Sequence, residues 1–209
     1  GGNSDAWSIN NNGQIVGVST VGNGDIHAFI YANGVMTDIG TLGGNYSDAI
    51  YINDAGEVAG TSTLSDGSMH AYLYREGFML DLGSVGSGGI NGLDAFGQVT
   101  GKYAFCSSSG GCPPTAFIYT NGMMASLNDL VSGYTLEEAI RSSRNGFIAA
   151  NSHLGTNYWQ GFILKPQGTF LFDAQDAGSQ WRVSVAENPI GQTCIVSGGD
   201  GLGLNANVT

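Results

Sequence analysis

The stretch Ala6–Gly40, AWSINNNGQIVGVSTVGNGDIHAFIYANGVMTDIG, decides the fold of this chain. It contains four short segments rich in apolar residues, separated by turns rich in glycine and asparagine. Both residues favour tight turns, because glycine adopts positive φ at little cost and asparagine bonds its own backbone. Four strands of about five residues joined by such turns predict a small antiparallel sheet. One sheet of this size cannot bury both of its faces, so it needs neighbours of the same kind.

The chain repeats this stretch, with three motifs recurring at intervals of 41 to 45 residues. They are a turn and strand starting at Gly13, Gly56 and Gly97; an aromatic strand starting at His27, His70, Thr115 and, in weaker form, Gln160; and a closing strand starting at Met36, Met79 and, in weaker form, Met124. A period of about 40–50 residues with several strands per unit is typical of propellers and related arrays. The sequence therefore predicts an all-β, β-propeller-like array of about four four-stranded repeats, either a four-bladed ring or part of a larger propeller. An open β array is the alternative.

The predicted array occupies residues 1–166 of the chain. Its repeats lie at about 1–40, 41–83, 84–128 and 129–166. After residue 166 the period is lost, and residues 167–209 are predicted to form a short β-rich segment that resembles an incomplete sandwich-type module. GGNSDA at residues 1–6 matches GGNYSDA at residues 43–49, so we expect the chain to begin inside a repeat, as a mature or trimmed fragment does.

The motifs INNNGQIVGVS, HAFIY and MTDIGTLGGNYSDA together resemble the bacterial extracellular HAF repeat, named for the triplet found here at His27–Phe29. The resemblance covers roughly residues 1–166 and is closest in the first two repeats. Thr115 replaces the histidine in the third repeat, and Gln160 begins the altered triplet of the fourth. The resemblance implies a β-propeller-like fold and an extracellular or cell-surface location in bacteria. The resemblance implies no catalytic activity, because the members of this family share none.

The composition limits the classes of partner. The formal net charge of the 209 residues is −11, which disfavours non-specific binding to nucleic acid and to anionic membrane surfaces. No apolar run approaches the roughly 18 residues that span a bilayer, so membrane insertion is not expected. Hydrophobic residues make up 42% of the chain, enough to fill a core, which excludes a disordered chain. The 35 glycines fit the many tight turns of the predicted sheets.

Two of the three cysteines, Cys106 and Cys112, lie six positions apart around the segment SSSGG. In an extracellular chain this spacing predicts a disulfide that closes a loop. A metal pair is disfavoured, since no histidine or further cysteine has ligand spacing nearby. Cys194 is left over, and we expect it to remain unpaired or to pair with another chain.

The repeat-equivalent polar residues invite a catalytic interpretation. His27 and His70 occupy the same place in two repeats, as do Asp38 and Asp81. Equivalent residues of a propeller lie in different blades, so we predict structural roles for all four, as hydrogen-bonding partners of nearby loops and strand ends. The same structural role is predicted for the other signature positions, Phe29, Tyr72, Phe117, Gly13, Gly56 and Gly97.

Ligand-binding signals are sparse. No nucleophile elbow, zinc-binding helix motif or phosphate-binding loop is present, so neither an enzyme nor a cofactor is expected. Asp25 and Asp66 stand in turns with oxygen ligands of the kind that calcium prefers, but neither turn matches a complete calcium loop. Several aromatic residues near turns or strand ends are candidates for stacking on sugars or anchoring a protein, with packing between blades as the alternative. They are Trp7, Tyr51, Tyr134, Tyr158 and Trp159.

These observations favour a non-enzymatic secreted or cell-surface module that binds a glycan or a protein. Two alternatives stay open. Unpaired strand edges can join identical subunits into an extracellular polymer. A pocket of the propeller can also hold a glycan hydrolase or lyase site, which needs two carboxylates roughly 5–10 Å apart.

Overall fold

The computed structural model describes residues 2–105, 112–129, 131, 134–144, 146–154, 158–165, 168–176, 181–184, 195–198 and 204–207. Side chains are described as far as residue 164, except at 153–159. The predicted all-β class is confirmed: apart from one turn of 3-10 helix at Leu127–Asp129, the regular structure of these residues is strand. Within them, no helix is long and apolar enough to cross a membrane.

The first seventeen strands form four consecutive antiparallel sheets, and within each sheet the strands follow one another in chain order. The first sheet contains β1 (Ser4–Ile9), β2 (Ile15–Thr20), β3 (Ile26–Ala32) and β4 (Val35–Gly40). The second contains β5 (Tyr51–Ile52), β6 (Val58–Thr63), β7 (Met69–Arg75) and β8 (Phe78–Ser84). The third contains β9 (Gly89–Leu93), β10 (Val99–Ala104), β11 (Pro114–Thr120) and β12 (Met123–Ser126). The fourth contains β13 (Glu138–Ser142), β14 (Ile148–Leu154), β15 (Tyr158–Lys165), β16 (Gly168–Asp176) and β17 (Trp181–Ser184).

The fourth sheet continues past the boundary predicted at residue 166. Strand β16 pairs with β15 through partners such as Phe172 and Gly161, and β17 then pairs with β16. Two of the strands expected in the C-terminal segment therefore extend the last repeat. The remaining strands, β18 (Ile195–Gly198) and β19 (Leu204–Asn207), form a separate two-stranded hairpin.

The register of the sheets repeats with the sequence. Phe29, Tyr72 and Phe117 are buried, and each pairs across the second and third strands with a glycine. These partners are Gly17, Gly60 and Gly101. A Cβ atom on Gly101 would lie 2.9 Å from the ring of Phe117, so the absent side chain makes room for the aromatic one. The three aromatic positions thus have the same register and the same kind of partner, as the repeat predicts.

The hydrophobic core lies between consecutive sheets. Between the first and second sheets, Val16 and Ala28 pack against Ala49, Val58 and Tyr72. We call the side that a sheet turns toward the next one its exit face, represented here by Val16 and Ala28. The side turned toward the preceding sheet is its entry face, represented here by Ala49, Val58 and Tyr72. The same arrangement recurs between the second and third sheets and between the third and fourth.

The first strands of the sheets run along one side of the array. β5 contacts β1 and β9, and β9 contacts β13. The Arg141 guanidinium of β13 also reaches over the Tyr51 ring of β5, 5.8 Å from its centroid, so the fourth sheet curves back toward the second. Within the described residues, no comparable packing joins the first sheet to the fourth, and closure of a ring stays a prediction.

Candidate functional site

A ladder of polar side chains connects the turns that follow the first strands. The Asn10 Oδ1 atom accepts hydrogen bonds from the backbone N–H groups of Asn12 and Gln14, each at 3.0 Å, which fixes the turn. Its Nδ2 atom donates to the Asn53 carbonyl oxygen at 2.9 Å, in the equivalent turn of the second sheet. Asn10 is buried, so both ends of its amide are bonded away from water. The Asn10 side chain thus stabilises its own turn and links that turn to the equivalent turn of the second sheet.

The next two turns continue the ladder. Asn53 Oδ1 accepts from the backbone of Ala55 and Glu57, and Asn53 Nδ2 donates to the Asp94 carbonyl oxygen at 2.9 Å. Asp94 accepts within its own turn in the same way but has no amide to donate. Its second carboxylate oxygen instead accepts from the Ser142 hydroxyl of the fourth sheet, at 3.0 Å. The sequence analysis predicted turns next to the signature glycines but did not predict the hydrogen bonds that link one turn to the next. The sequence does carry a signal for them, because a polar residue stands three positions before each of Gly13, Gly56 and Gly97.

The predicted structural histidines pair with the predicted structural aspartates of the same sheet. His27 Nδ1 lies 2.8 Å from an Asp38 carboxylate oxygen, and His70 Nδ1 lies 2.8 Å from an Asp81 oxygen. Each carboxylate also accepts from the backbone N–H two residues later, at Gly40 or Gly83, both at 2.8 Å. The pairs tie the third strand to the end of the fourth. The two pairs lie in separate sheets, so the four residues do not meet in a common site.

The third sheet replaces both members of this pair at once. Thr115 stands where His27 stands, and Ser126 pairs opposite Phe117 as Asp38 pairs opposite Phe29. The Ser126 hydroxyl still accepts a hydrogen bond from the Asn128 N–H, at 3.1 Å. The strand-end bond is therefore kept when the histidine is lost.

A buried acidic group lies between Tyr46 and strand β6 of the second sheet. Asp48 accepts hydrogen bonds from the Thr61 N–H at 2.6 Å, the Thr61 hydroxyl at 2.8 Å and the Tyr46 hydroxyl at 3.1 Å. Burial raises the pKa of Asp48 above its usual value, against the lowering effect of these donors. Burial and the nearby Asp48 carboxylate raise the pKa of Tyr46 to about 12.

Tyr72 completes this buried group. Its hydroxyl donates to the Asp48 carbonyl oxygen at 2.7 Å, and burial raises the pKa of Tyr72 well above its usual value. Thr61 and Tyr46 give the Asp48 carboxylate the donors that a buried charge needs, while Tyr72 binds the backbone of the same residue. The cluster therefore holds β6, β7 and the segment before β5 together.

The candidate aromatic residues have different environments. Trp7 is 47% exposed. Tyr51 is half-buried beneath Arg141, and Tyr134 packs edge-to-face on Phe162 with ring centroids 5.4 Å apart. The side chains of Tyr158 and Trp159 lie outside the described residues. Of the candidates whose side chains are described, Trp7 offers the most exposed ring.

The calcium candidates are engaged in their own turns. Asp25 accepts from the Asn23 amide at 2.6 Å, and Asp66 accepts from the Ser68 hydroxyl at 2.6 Å and from its N–H at 2.9 Å. The bonds from Ser68 lower the pKa of Asp66. No three side chains of His, Cys, Asp or Glu are placed to hold a metal in the part of the chain that the structure describes.

Cys106 and Cys194 lie outside the described residues, so the pairing of Cys106 with Cys112 and the state of Cys194 stay predictions.

Within the described residues, no sheet packs against the entry face of the first sheet. This face consists of the residues 43 positions before the six that form the entry face of the second sheet: Ala6, Ile9, Ile15, Phe29, Tyr31 and Met36. Phe29 is buried within its own sheet, but Ile9 is 65% exposed, Met36 49% and Tyr31 38%. In the second sheet the counterparts of these residues pack against the first sheet. Of these six residues, only Phe29 was among the predicted site residues, as a structural position of the repeat.

A scan of protein-family models finds none that matches this chain, and no curated protein matches its sequence.

Proposed function

We propose that this chain is a non-enzymatic structural and binding module of a secreted or cell-surface protein, whose partner is a protein or a glycan. The observation that carries the proposal is the exposed Trp7 ring of β1, which stands outside the contacts that the recurring polar residues make. An amphipathic aromatic ring of this kind is found at contacts with sugars and with proteins.

The use of the recurring polar residues supports a non-enzymatic role. The His–Asp pairs, the asparagine ladder and the Asp48 cluster each join strands or neighbouring sheets. The pairs and the ladder recur with the fold over separate sheets, and the Asp48 cluster lies apart from them at the second sheet, whereas a catalytic site gathers different groups at one place. Their chemistry is therefore explained by the stability of the array.

The proposal is tested with the full chain and two substitutions of exposed residues. The labelled chain is applied to a glycan array and used as bait against bacterial surface proteins, beside Trp7→Ala and Ile9→Asp. Loss of binding on Trp7→Ala with Ile9→Asp unaffected identifies stacking on a sugar or a flat apolar group. Loss on Ile9→Asp identifies the entry face as the contact. A chain that binds neither glycan nor protein, its own copies included, refutes the proposal.

A further inference from the structure

We propose that Asn33 and Asn121 are sites at which the chain modifies itself, each losing its side-chain amide as ammonia and becoming aspartate or isoaspartate. The reaction needs only water and is independent of the proposed binding function. It requires an asparagine followed by a glycine, whose missing side chain leaves the backbone nitrogen open to react. The chain contains six such pairs, which begin at Asn12, Asn23, Asn33, Asn91, Asn121 and Asn145.

The chemistry at Asn33 proceeds in two steps. The Gly34 backbone nitrogen forms a bond to the Asn33 Cγ atom, and the side-chain nitrogen leaves as ammonia, taking up the proton that the Gly34 nitrogen gives up. Water then opens the resulting succinimide ring. Attack of water at Cγ leaves aspartate, and attack at the main-chain carbonyl carbon leaves isoaspartate, whose main chain runs through Cγ.

Both proposed sites stand in the same kind of turn. Asn33–Gly34 and Asn121–Gly122 each join the third and fourth strands of a sheet, where Ala32 pairs with Val35 and Thr120 pairs with Met123. The φ angle is 52° at both asparagines and 83° and 81° at the two glycines, as a type I′ turn requires. All four turn residues are exposed, and a Cβ atom on either glycine would meet nothing within 4 Å. The succinimide ring therefore has open space in which to form.

No hydrogen bond has to break before the nitrogen approaches. Within the described residues, neither the Asn33 nor the Asn121 side-chain amide makes a hydrogen bond, and the backbone N–H groups of Gly34 and Gly122 have no hydrogen-bond acceptor. The side chain can thus rotate toward the glycine at no cost beyond its own torsions.

Asn23 is exposed as well, but it is fixed by hydrogen bonds. Its Nδ2 atom donates to an Asp25 carboxylate oxygen at 2.6 Å, and its Oδ1 atom accepts from the Asp25 N–H at 3.0 Å. The Gly24 N–H, which would have to react, donates to the Val21 carbonyl oxygen at 2.9 Å. Exposure alone therefore does not distinguish the proposed sites from Asn23, whereas hydrogen bonding does.

Two further pairs are held in a comparable way. Asn12 Nδ2 donates to the Asp54 carbonyl oxygen at 2.8 Å, and the Gly13 N–H donates to the Asn10 carbonyl oxygen at 3.1 Å. Asn91 lies half-buried in β9, and its Nδ2 atom donates to the Ala139 carbonyl oxygen at 3.2 Å. Asn145 lies outside the described residues.

The second sheet has the same turn without the reactive amide. Glu76 and Gly77 have φ angles of 54° and 84° and join Arg75 to Phe78, so glutamate replaces asparagine in an equivalent backbone. Conversion therefore changes the outer hairpins of the first and third sheets and leaves that of the second unchanged. Each conversion adds one negative charge to the formal −11, and isoaspartate also adds a main-chain carbon to a turn of only two residues.

The experiment incubates the full chain at mildly alkaline pH and measures conversion at each asparagine by peptide mapping with mass spectrometry. Isoaspartate is labelled separately with an isoaspartyl methyltransferase. Parallel samples are folded or unfolded in urea. Glu76→Asn tests the turn itself, because it places an Asn–Gly pair in the equivalent hairpin of the second sheet. Asn33→Glu is the matched control, which copies the natural residue of that sheet and removes the reactive amide. Circular dichroism checks that both variants are folded.

Each hydrogen bond that must break slows the reaction severalfold, so Asn33 and Asn121 are expected to convert at least about tenfold faster than Asn12 and Asn23 in the folded chain. In urea the four sites are expected to convert at similar rates, because each is followed by glycine. Glu76→Asn is expected to react as fast as Asn33. Asn33→Glu is expected to abolish conversion at that position and to leave Asn121 unaffected.

Three results would overturn the inference: no conversion of Asn33 and Asn121 in the folded chain, rates there that equal those of Asn12 and Asn23, or a folded Glu76→Asn variant that stays unmodified at position 76. None of these results bears on the glycan and surface-protein experiments, so the proposed binding function stands or fails separately.

Discussion

Replacing Asn53 by aspartate should break the ladder of turns at its middle. The variant keeps the Oδ1 atom that accepts from Ala55 and Glu57, so the turn itself can form. It loses two donated bonds, one to the Glu57 carboxylate at 2.7 Å and one to the Asp94 carbonyl oxygen at 2.9 Å. It also brings a new carboxylate next to that of Glu57. We therefore expect a destabilising change that acts between sheets.

The magnitude follows from the two lost bonds. A hydrogen bond to a charged group contributes about 2 kcal/mol and one between neutral groups about 1 kcal/mol. Because the site is buried, the abandoned acceptors do not regain full hydration. Asn53→Asp should therefore lower the free energy of unfolding by about 3 kcal/mol.

The assay is urea denaturation followed by circular dichroism, with Asp94→Asn as the matched control. This reverse exchange at the equivalent turn keeps the atom that accepts from Phe96 and Gln98, and its amide can donate to the Ser142 oxygen. It should cost less than about 1 kcal/mol. Equal destabilisation by the two exchanges would refute the reasoning, because it would show that the donated bond of the ladder contributes nothing specific.

Three further predictions concern the repeat itself. Tyr72→Phe should cost about 1 kcal/mol at neutral pH for the lost hydroxyl bond. The folded-state pKa of this tyrosine is above its unfolded value near 10, so wild-type stability should fall as the pH rises beyond 10, by about 1.4 kcal/mol per unit for this group. The variant should decline less steeply in thermal melts from pH 8 to 11.5, and identical slopes would contradict this. Gly60→Ala should cost about 3 kcal/mol, because its Cβ would lie 1.9 Å from a backbone oxygen. Gly67→Ala, which has positive φ but open space, should cost about 1 kcal/mol, and equal losses in denaturation midpoint would argue against the close approach. The double change His27→Thr with Asp38→Ser copies the natural pair of the third sheet and should shift the midpoint less than Asp38→Ala alone. A larger shift for the double change would show that the Thr–Ser pair of the third sheet cannot replace the His–Asp pair of the first sheet.

Much of the fold was accessible from the sequence, because the repeat constrains it several times over. The turns at Gly13, Gly56 and Gly97 all have positive φ, as predicted for glycine at these positions. The aromatic strands pair in the same register in each of the first three sheets. The boundary at residue 166 was less informative, because the fourth sheet continues through strands that no longer carry the motif.

The candidate site was only partly accessible. The His–Asp pairs could have been predicted, because both residues recur eleven positions apart and are replaced together at Thr115 and Ser126. The exposure of Ile9 could not, because an identical pattern of residues is covered in one sheet and open in another. That difference depends on which element packs against the sheet, and the amino-acid sequence of the strand does not reveal it.

Asp94 has a consequence for how such an array can lengthen. Asn53 receives a bond from the turn before it and donates to the turn after it, so a tandem duplication of residues 41–83 would find a suitable partner at each junction. Residues 84–128 lack that property, because Asp94 accepts from both neighbours and donates to neither. Duplication of the second unit in the gene would therefore keep the ladder intact. Duplication of the third unit would place the Asp94 carboxylate of one copy next to the Asp94 carbonyl oxygen of the other, and neither atom can donate a hydrogen bond.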